Sequence, residues 1–114
     1  MKVIIAGSRH INDFAMVNNI ISSSGIHITE LISGGCHGVD KLGEIYANLK
    51  SIPIRIFPAD WGKYGRRAGP LRNKQMADYA DALIAIWDGK SAGTKNMIME
   101  ALKNKLEVHI KYVG

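Results

Sequence analysis

Short apolar runs alternate with stretches of helical periodicity along the whole chain. Val3-Ile4-Ile5-Ala6 reads as a buried strand that ends in Gly7. Phe14, Val17, Ile20 and Ile21 recur at helical spacing, and Gly25 follows as a stop. A second strand is predicted over residues 28–32, running into Ser33-Gly34-Gly35, and the helix after it carries Val39, Leu42, Ile45, Tyr46 and Leu49. Pro53 opens a third strand over 54–57 and Pro58 closes it. A long loop, about 59–69, leads to a helix from Pro70, where proline suits a first turn. Residues 82–87 form a fourth strand and 88–92 a turn. A helix bearing Ile98, Ala101 and Leu102 follows, and 106–110 supply the last strand.

Near-continuous apolar strands between amphipathic helices imply a parallel sheet covered on both faces. Right-handed crossovers then give a small doubly wound, Rossmann-like α/β domain of three layers, with a mostly parallel sheet of about five strands. Its 114 residues suit one domain over 1–114, with no repeat, linker or low-complexity stretch. A hydrophobic share of 46% against 22% charged residues marks a globular chain. One cysteine excludes an intrachain disulfide and a Cys-cluster metal site, and suits a reducing compartment. No apolar run reaches the ~18–20 residues of a membrane span. Only four apolar residues follow Met1-Lys2, too few for a secretory leader, so a cytoplasmic protein is expected.

The formal charge of +5 favours anionic partners without naming them. Lys63, Arg66, Arg67, Arg72 and Lys74 lie in one segment opposed only by Asp60. Such a run reads as a solvated basic loop or as an anion site; interleaved Gly and aromatic residues favour the site. Three Gly-bearing loops directly follow strands: Gly7-Ser8-Arg9, Gly34-Gly35-Cys36-His37-Gly38-Val39-Asp40 and Gly89-Lys90-Ser91-Ala92-Gly93-Thr94. In a parallel sheet all three fall on the carboxyl edge, where ligands bind at the topological switch point. Each precedes a helix whose free N–H groups seat phosphate. The first loop is not G-x-G-x-x-G, and the glycine that a P-loop ending at Gly89-Lys90-Ser91 requires is Ile84. Neither a dinucleotide fingerprint nor Walker-type hydrolysis is supported.

Gly7-Ser8-Arg9, Gly34-Gly35-x-x-Gly38-x-Asp40, Ala59-Asp60-Trp61-x-x-Tyr64-Gly65-x-x-Ala68-Gly69-x-x-Arg72-Asn73-x-x-Met76 and Ser91-x-Gly93-Thr94 occur in that order. Together they resemble the YspA-like branch of the SLOG superfamily, which is related to DNA-processing protein A and the lonely-guy phosphoribohydrolases. The resemblance implies a Rossmann-like domain binding nucleotides or nucleotide-derived signals, ADP-ribose-like or cyclic. It also makes a signal-sequestering role in host–phage conflict conceivable. Lonely-guy enzymes cleave an N-glycosidic bond with an Arg-Lys pair and a Glu. Here Asn73 stands for the Lys and Met97 for the Glu, and a thioether cannot polarise water or stabilise an oxocarbenium ion. Glu100, Asp88 or Asp40 would have to substitute.

The leading expectation is therefore a nucleotide binder without catalytic residues, metal or bound cofactor. Ser8, Arg9 and the Gly35–Gly38 amides would hold one phosphate and Gly93-Thr94 a second, with Ser91 and Gly7 at the edges. Arg72 would neutralise charge, and Asp40 or Asn73 would bind ribose hydroxyls. Trim packing is the simpler role for Cys36, and His37 shows no metal-ligand spacing with the other histidines. Trp61 and Tyr64 either stack on a base or pack their loop. The rival readings are an N-glycosidic hydrolase and single-stranded nucleic-acid binding through the basic segment with Trp61 and Tyr64. Self-association is expected, since related domains commonly form dimers or tetramers.

Overall fold

Residues 1–114 are all described by the computed structural model. Five strands, β1 (Lys2–Gly7), β2 (Glu30–Ser33), β3 (Ile54–Ile56), β4 (Ala82–Trp87) and β5 (Glu107–Tyr112), form one all-parallel sheet in the order β3-β2-β1-β4-β5. Between them run α1 (Phe14–Ser23), α2 (Val39–Leu49), the single turn α3 (Trp61–Tyr64), α4 (Ala68–Tyr79) and α5 (Ala92–Lys103). The α/β architecture is the Rossmann-like one expected. No helix is long and apolar enough to cross a membrane.

The strand alternation sorts the core into two halves. Val3, Ile5, Leu31, Ile84 and Ile86 pack with Val17, Ile21, Val39 and Ala47 of α1 and α2. Ile4, Ala6, Ile32, Leu83 and Ala85 pack on the other face with Met76, Ala77, Met97 and Ala101 of α4 and α5. Successive residues thus bury themselves on opposite faces, which is why these strands read as unbroken apolar runs.

Several boundaries differ from expectation for local reasons, and the third strand ends at Ile56, one residue before the expected Phe57. The second strand starts at Glu30, where its register with β1 begins at Lys2↔Glu30; Thr29 before it is tied to β1 only through the Met1 carbonyl, which accepts its N–H at 2.9 Å. Leu106 belongs to the turn after α5: Lys105 has φ 58° and the Leu106 N–H donates to the Ala101 carbonyl. The last strand continues to Tyr112 because β4 runs on to Trp87 opposite it. The expected loop at 59–69 contains α3, whose first turn is capped by Asp60 accepting from the Lys63 N–H at 3.0 Å, then a 3-10 turn over Gly65–Arg67. Helix α4 begins at Ala68, leaving Pro70 in the first turn, where its missing N–H costs nothing.

From β1 the chain leaves to α1 on one face, and from β4 it leaves to α5 on the other. The strands stay paired to Gly7↔Ile86, but the segments leaving their carboxyl ends part toward opposite faces, and a crevice opens there.

Candidate functional site

At that crevice lies a cavity of about 270 Å³, floored by Ala6, Met76 and Met97 and rimmed by polar groups from every carboxyl-edge loop. One side is the start of α5. Asp88 folds the preceding turn by accepting from the N–H groups of Lys90 (2.8 Å) and Ser91 (2.9 Å), and these donors hold its carboxyl below the usual aspartate range. The Ser8 hydroxyl accepts from the Asp88 N–H at 3.1 Å, tying this turn to the end of β1. Ser91 precedes the helix without a side-chain cap; its hydroxyl accepts instead from Thr94 Oγ1 at 3.3 Å. The first-turn amides of Ala92, Gly93 and Thr94 are therefore uncapped, and all three residues line the cavity. A Cβ at Gly93 would meet nothing within 4 Å, so packing in the chain itself does not require glycine there.

Opposite stands Arg72. Helix α4 turns Ala68, Gly69, Arg72, Asn73, Met76 and Ala77 inward at helical spacing, so a polar pair occupies the middle of its buried face. Arg72 is 8% exposed; its Nη1 donates to the Gly34 carbonyl at 2.6 Å and its Nε to Asn73 Oδ1 at 3.0 Å. Asn73 Nδ2 in turn donates to Asn96 Oδ1 (2.9 Å) and the Gly93 carbonyl (3.3 Å), linking α4 to the start of α5. A Cβ at Gly34 would lie 2.7 Å from Arg72 Nη1, so glycine there admits the guanidinium.

The β2–α2 loop closes the third side. Gly38 has φ 76°, and a Cβ on it would lie 2.4 Å from the Ser8 carbonyl oxygen. Only glycine fits that approach. Asp40, in the first turn of α2 and 6% exposed, accepts from the Cys36 N–H at 3.2 Å. Burial pushes its pKa up from 3.8 to about 6, opposed by the Cys36 N–H, the Arg72 charge and, more weakly, Arg9, while nearby Glu44 adds to the rise. Asp40 is the one carboxylate lining the cavity.

A second cleft of about 390 Å³ adjoins the first over the ends of β2 and β3. Arg9, Cys36, Trp61 and Arg72 line both. The Cys36 thiol sits between the two arginines, 3.7 Å from Arg72 Nη2 and 3.9 Å from Arg9 Nη2. Trp61 is 52% exposed, and its ring covers Gly69 of α4.

Most of the residues singled out from the sequence therefore converge. Gly7, Arg9, Cys36, Asp40, Trp61, Arg72, Asn73, Ser91, Gly93 and Thr94 line the first cavity; Gly34, Gly35 and His37 line only the second. Ser8 and Gly38 stand behind the lining as braces, Ser8 with its hydroxyl engaged by Asp88 and Gly38 against the Ser8 carbonyl. Tyr64 lines neither cleft, and the Lys63 ammonium lies over its ring at 5.1 Å. Glu100 lines neither and pairs with Lys103 at 3.8 Å. Sequence reasoning missed Asn96 and Lys41. Asn96 lies three residues after Gly93, one helical turn on, which was the available signal. Lys41 follows Asp40 directly, but no pattern marked it.

Residues 1–64 match the YspA, cpYpsA-related SLOG family. The Gene 61 protein of Mycobacterium phage D29 is 30% identical over 117 residues, covering 94% of this chain and 93% of that protein. In three dimensions the chain matches DNA processing protein A (DprA) of Streptococcus pneumoniae with a TM-score of 0.76 at 16% identity, a likeness of fold. That match covers 96% of this chain but 49% of the DprA chain, so the present chain spans about half its length. By its family match and its full-length relative, the chain belongs to the YspA, cpYpsA-related SLOG family.

Proposed function

We propose that residues 1–114 act as a single nucleotide-binding domain. In this reading it holds a nucleotide or nucleotide-derived signalling molecule, ADP-ribose-like or cyclic, at the carboxyl edge of the sheet, and senses or sequesters it. The observation that carries this is the opposition of three uncapped α5 amides to the buried Arg72 guanidinium across one small cavity. Helix-end amides and an immobilised guanidinium are the donors a phosphate needs when it leaves water. Asp40 and Asn96 are placed to meet sugar hydroxyls, and Met76, Met97 and Trp61 give the remaining surface its apolar character. A role in host–phage conflict draws support from the similarity to a phage protein, and the single cysteine suits a reducing cytoplasm.

Binding without turnover follows from the floor. Met97 occupies the position where a hydrolase of the lonely-guy type places its Glu, and it is buried in the cavity wall. Glycosidic cleavage would fall to Asp40 alone. The nucleic-acid alternative would use the basic segment from Lys63 to Lys74 with Trp61 and Tyr64; of these only Trp61 and Arg72 line the clefts, and Lys63, Tyr64, Arg66, Arg67 and Lys74 lie outside both. Self-association is also proposed, through β5, an edge strand exposing Ile110 and Tyr112 beside Met99 and Leu102 of α5. Antiparallel pairing of two such edges about His109 would set Glu107 of one copy against Lys111 of the other; light scattering should then report a dimer, and a monomer counts against it.

Mass spectrometry of small molecules released on denaturing the purified protein tests the central reading. A phosphate-bearing nucleotide in stoichiometric amount is expected. Its absence, together with no binding from a nucleotide panel in calorimetry, refutes it.

A further inference from the structure

The two clefts differ in charge. Arg9 and Arg72 line both; the first adds Asp40 and amide side chains, whereas the second adds His37 and Lys41 and has no carboxylate. The acidic groups nearby are engaged elsewhere: Asp40 with the Cys36 N–H, Asp60 with the Lys63 N–H, and Glu44 with the Ser33 hydroxyl at 2.6 Å. Glu44 also pairs with one cation of this cleft, Lys41, at 3.5 Å, and the Asp40 carboxyl lies within the field of Arg72 and Arg9. Of these cations Arg72 is anchored, held by Gly34 and Asn73 from within and presenting its remaining N–H groups at the boundary of the two clefts, while Arg9, His37 and Lys41 are exposed. The first cavity, about 270 Å³, lies at the lower limit of the ~300–1,000 Å³ usual for small-molecule sites, and the adjoining 390 Å³ brings the pair inside that range.

We infer that the second cleft is a subsite for a second phosphate group. The ligand class is then a nucleotide with two phosphates, one at the α5 amides and the other against Lys41, His37 and Arg9, with Arg72 between them. This inference rests on the nucleotide-binding reading of the first cavity, and it selects ligands with two phosphates over cyclic mononucleotides. The two phosphates are supplied either as a continuous diphosphate or as separate groups on one sugar. Neither source alters the recognition chemistry, which is charge-assisted hydrogen bonding to phosphate oxygens.

Calorimetry with nucleoside 5′-monophosphates, 5′-diphosphates and 3′,5′-bisphosphates of each common base tests it, the last two series separating the two sources. For the preferred base, one two-phosphate series should bind at least about tenfold more tightly than the monophosphate. The double substitution Lys41→Gln/His37→Gln, at two exposed positions, should abolish that advantage and leave monophosphate affinity within about twofold. Lys63→Gln/Arg66→Gln, which removes charge outside both clefts, should preserve it. Equal affinity across the series, or an advantage that survives Lys41→Gln/His37→Gln, overturns the second subsite and leaves the nucleotide site standing. No binding by any series overturns both.

Discussion

Replacing Asp40 with asparagine should make the protein more stable and a poorer binder. The carboxyl is buried, and its pKa of about 6 lies above the ordinary 3.8 because ionisation there is disfavoured by lost hydration. Between these two values the folded chain keeps a proton that the unfolded chain has lost. The contribution of this group to stability is therefore full below pH 3.8 and declines as pH rises through about 6. The difference corresponds to about 3 kcal/mol of penalty at pH 8. Asparagine removes it while keeping an oxygen for the Cys36 N–H, and the attraction of a carboxylate to the first turn of α2 is already contained in the net shift. The expected gain at pH 8 is therefore about 3 kcal/mol, a Tm increase of roughly 9–18 °C for a chain of this length. Thermal unfolding followed by circular dichroism from pH 4 to pH 8.5 measures it. The two curves should lie close together near pH 4, diverge between pH 4 and about 6, and keep a constant separation above that. Parallel curves, or a variant less stable at pH 8, would refute the argument that burial of a charge dominates at this position.

Gly38→Ala should cost at least about 2 kcal/mol, since φ 76° strains an alanine and its Cβ would strike the Ser8 carbonyl; denaturant unfolding is the check. Gly93→Ala should behave oppositely, unfolding no earlier than the parent because its Cβ meets nothing, yet binding ligand about tenfold more weakly because that Cβ occupies the cavity rim. Loss of stability there would mean that the glycine serves packing instead. Prolonged incubation with nucleoside monophosphates or ADP-ribose should release no free base by chromatography, as Met97 cannot supply a carboxylate; release that vanishes in Asp40→Asn would assign hydrolysis to Asp40.

Much of the fold was legible because a parallel sheet buried on both faces imprints unbroken apolar runs. Val3 to Ala6 and residues 82–86 show it, and the glycines after them mark the carboxyl edge. The segment from Asp60 to Pro70 was less legible: α3 is a single capped turn exposing all its side chains, so it has no apolar period to detect. Helix α4 hides its start for a related reason, since Arg72 and Asn73 sit on the buried face where a stripe of apolar residues would have announced it. The loops bearing the site were visible, but the division of labour within them was not. Ser8 looks like a phosphate ligand in sequence, and in the structure its hydroxyl accepts from the Asp88 N–H and it lines neither cleft. Lys41 and Ile56 come to share a cleft only because β2 and β3 are neighbours in the sheet.

The claim that α5 and Arg72 together seat a phosphate is tested most directly by amide chemical-shift mapping during titration with phosphate-bearing nucleotides. The account predicts that the largest changes fall on the N–H signals of Ala92, Gly93 and Thr94 and on Arg72 Nε–H, and that they saturate together. Shifts confined to Lys63, Arg66 and Arg67, or silence at the α5 amides while a nucleotide binds, would contradict it.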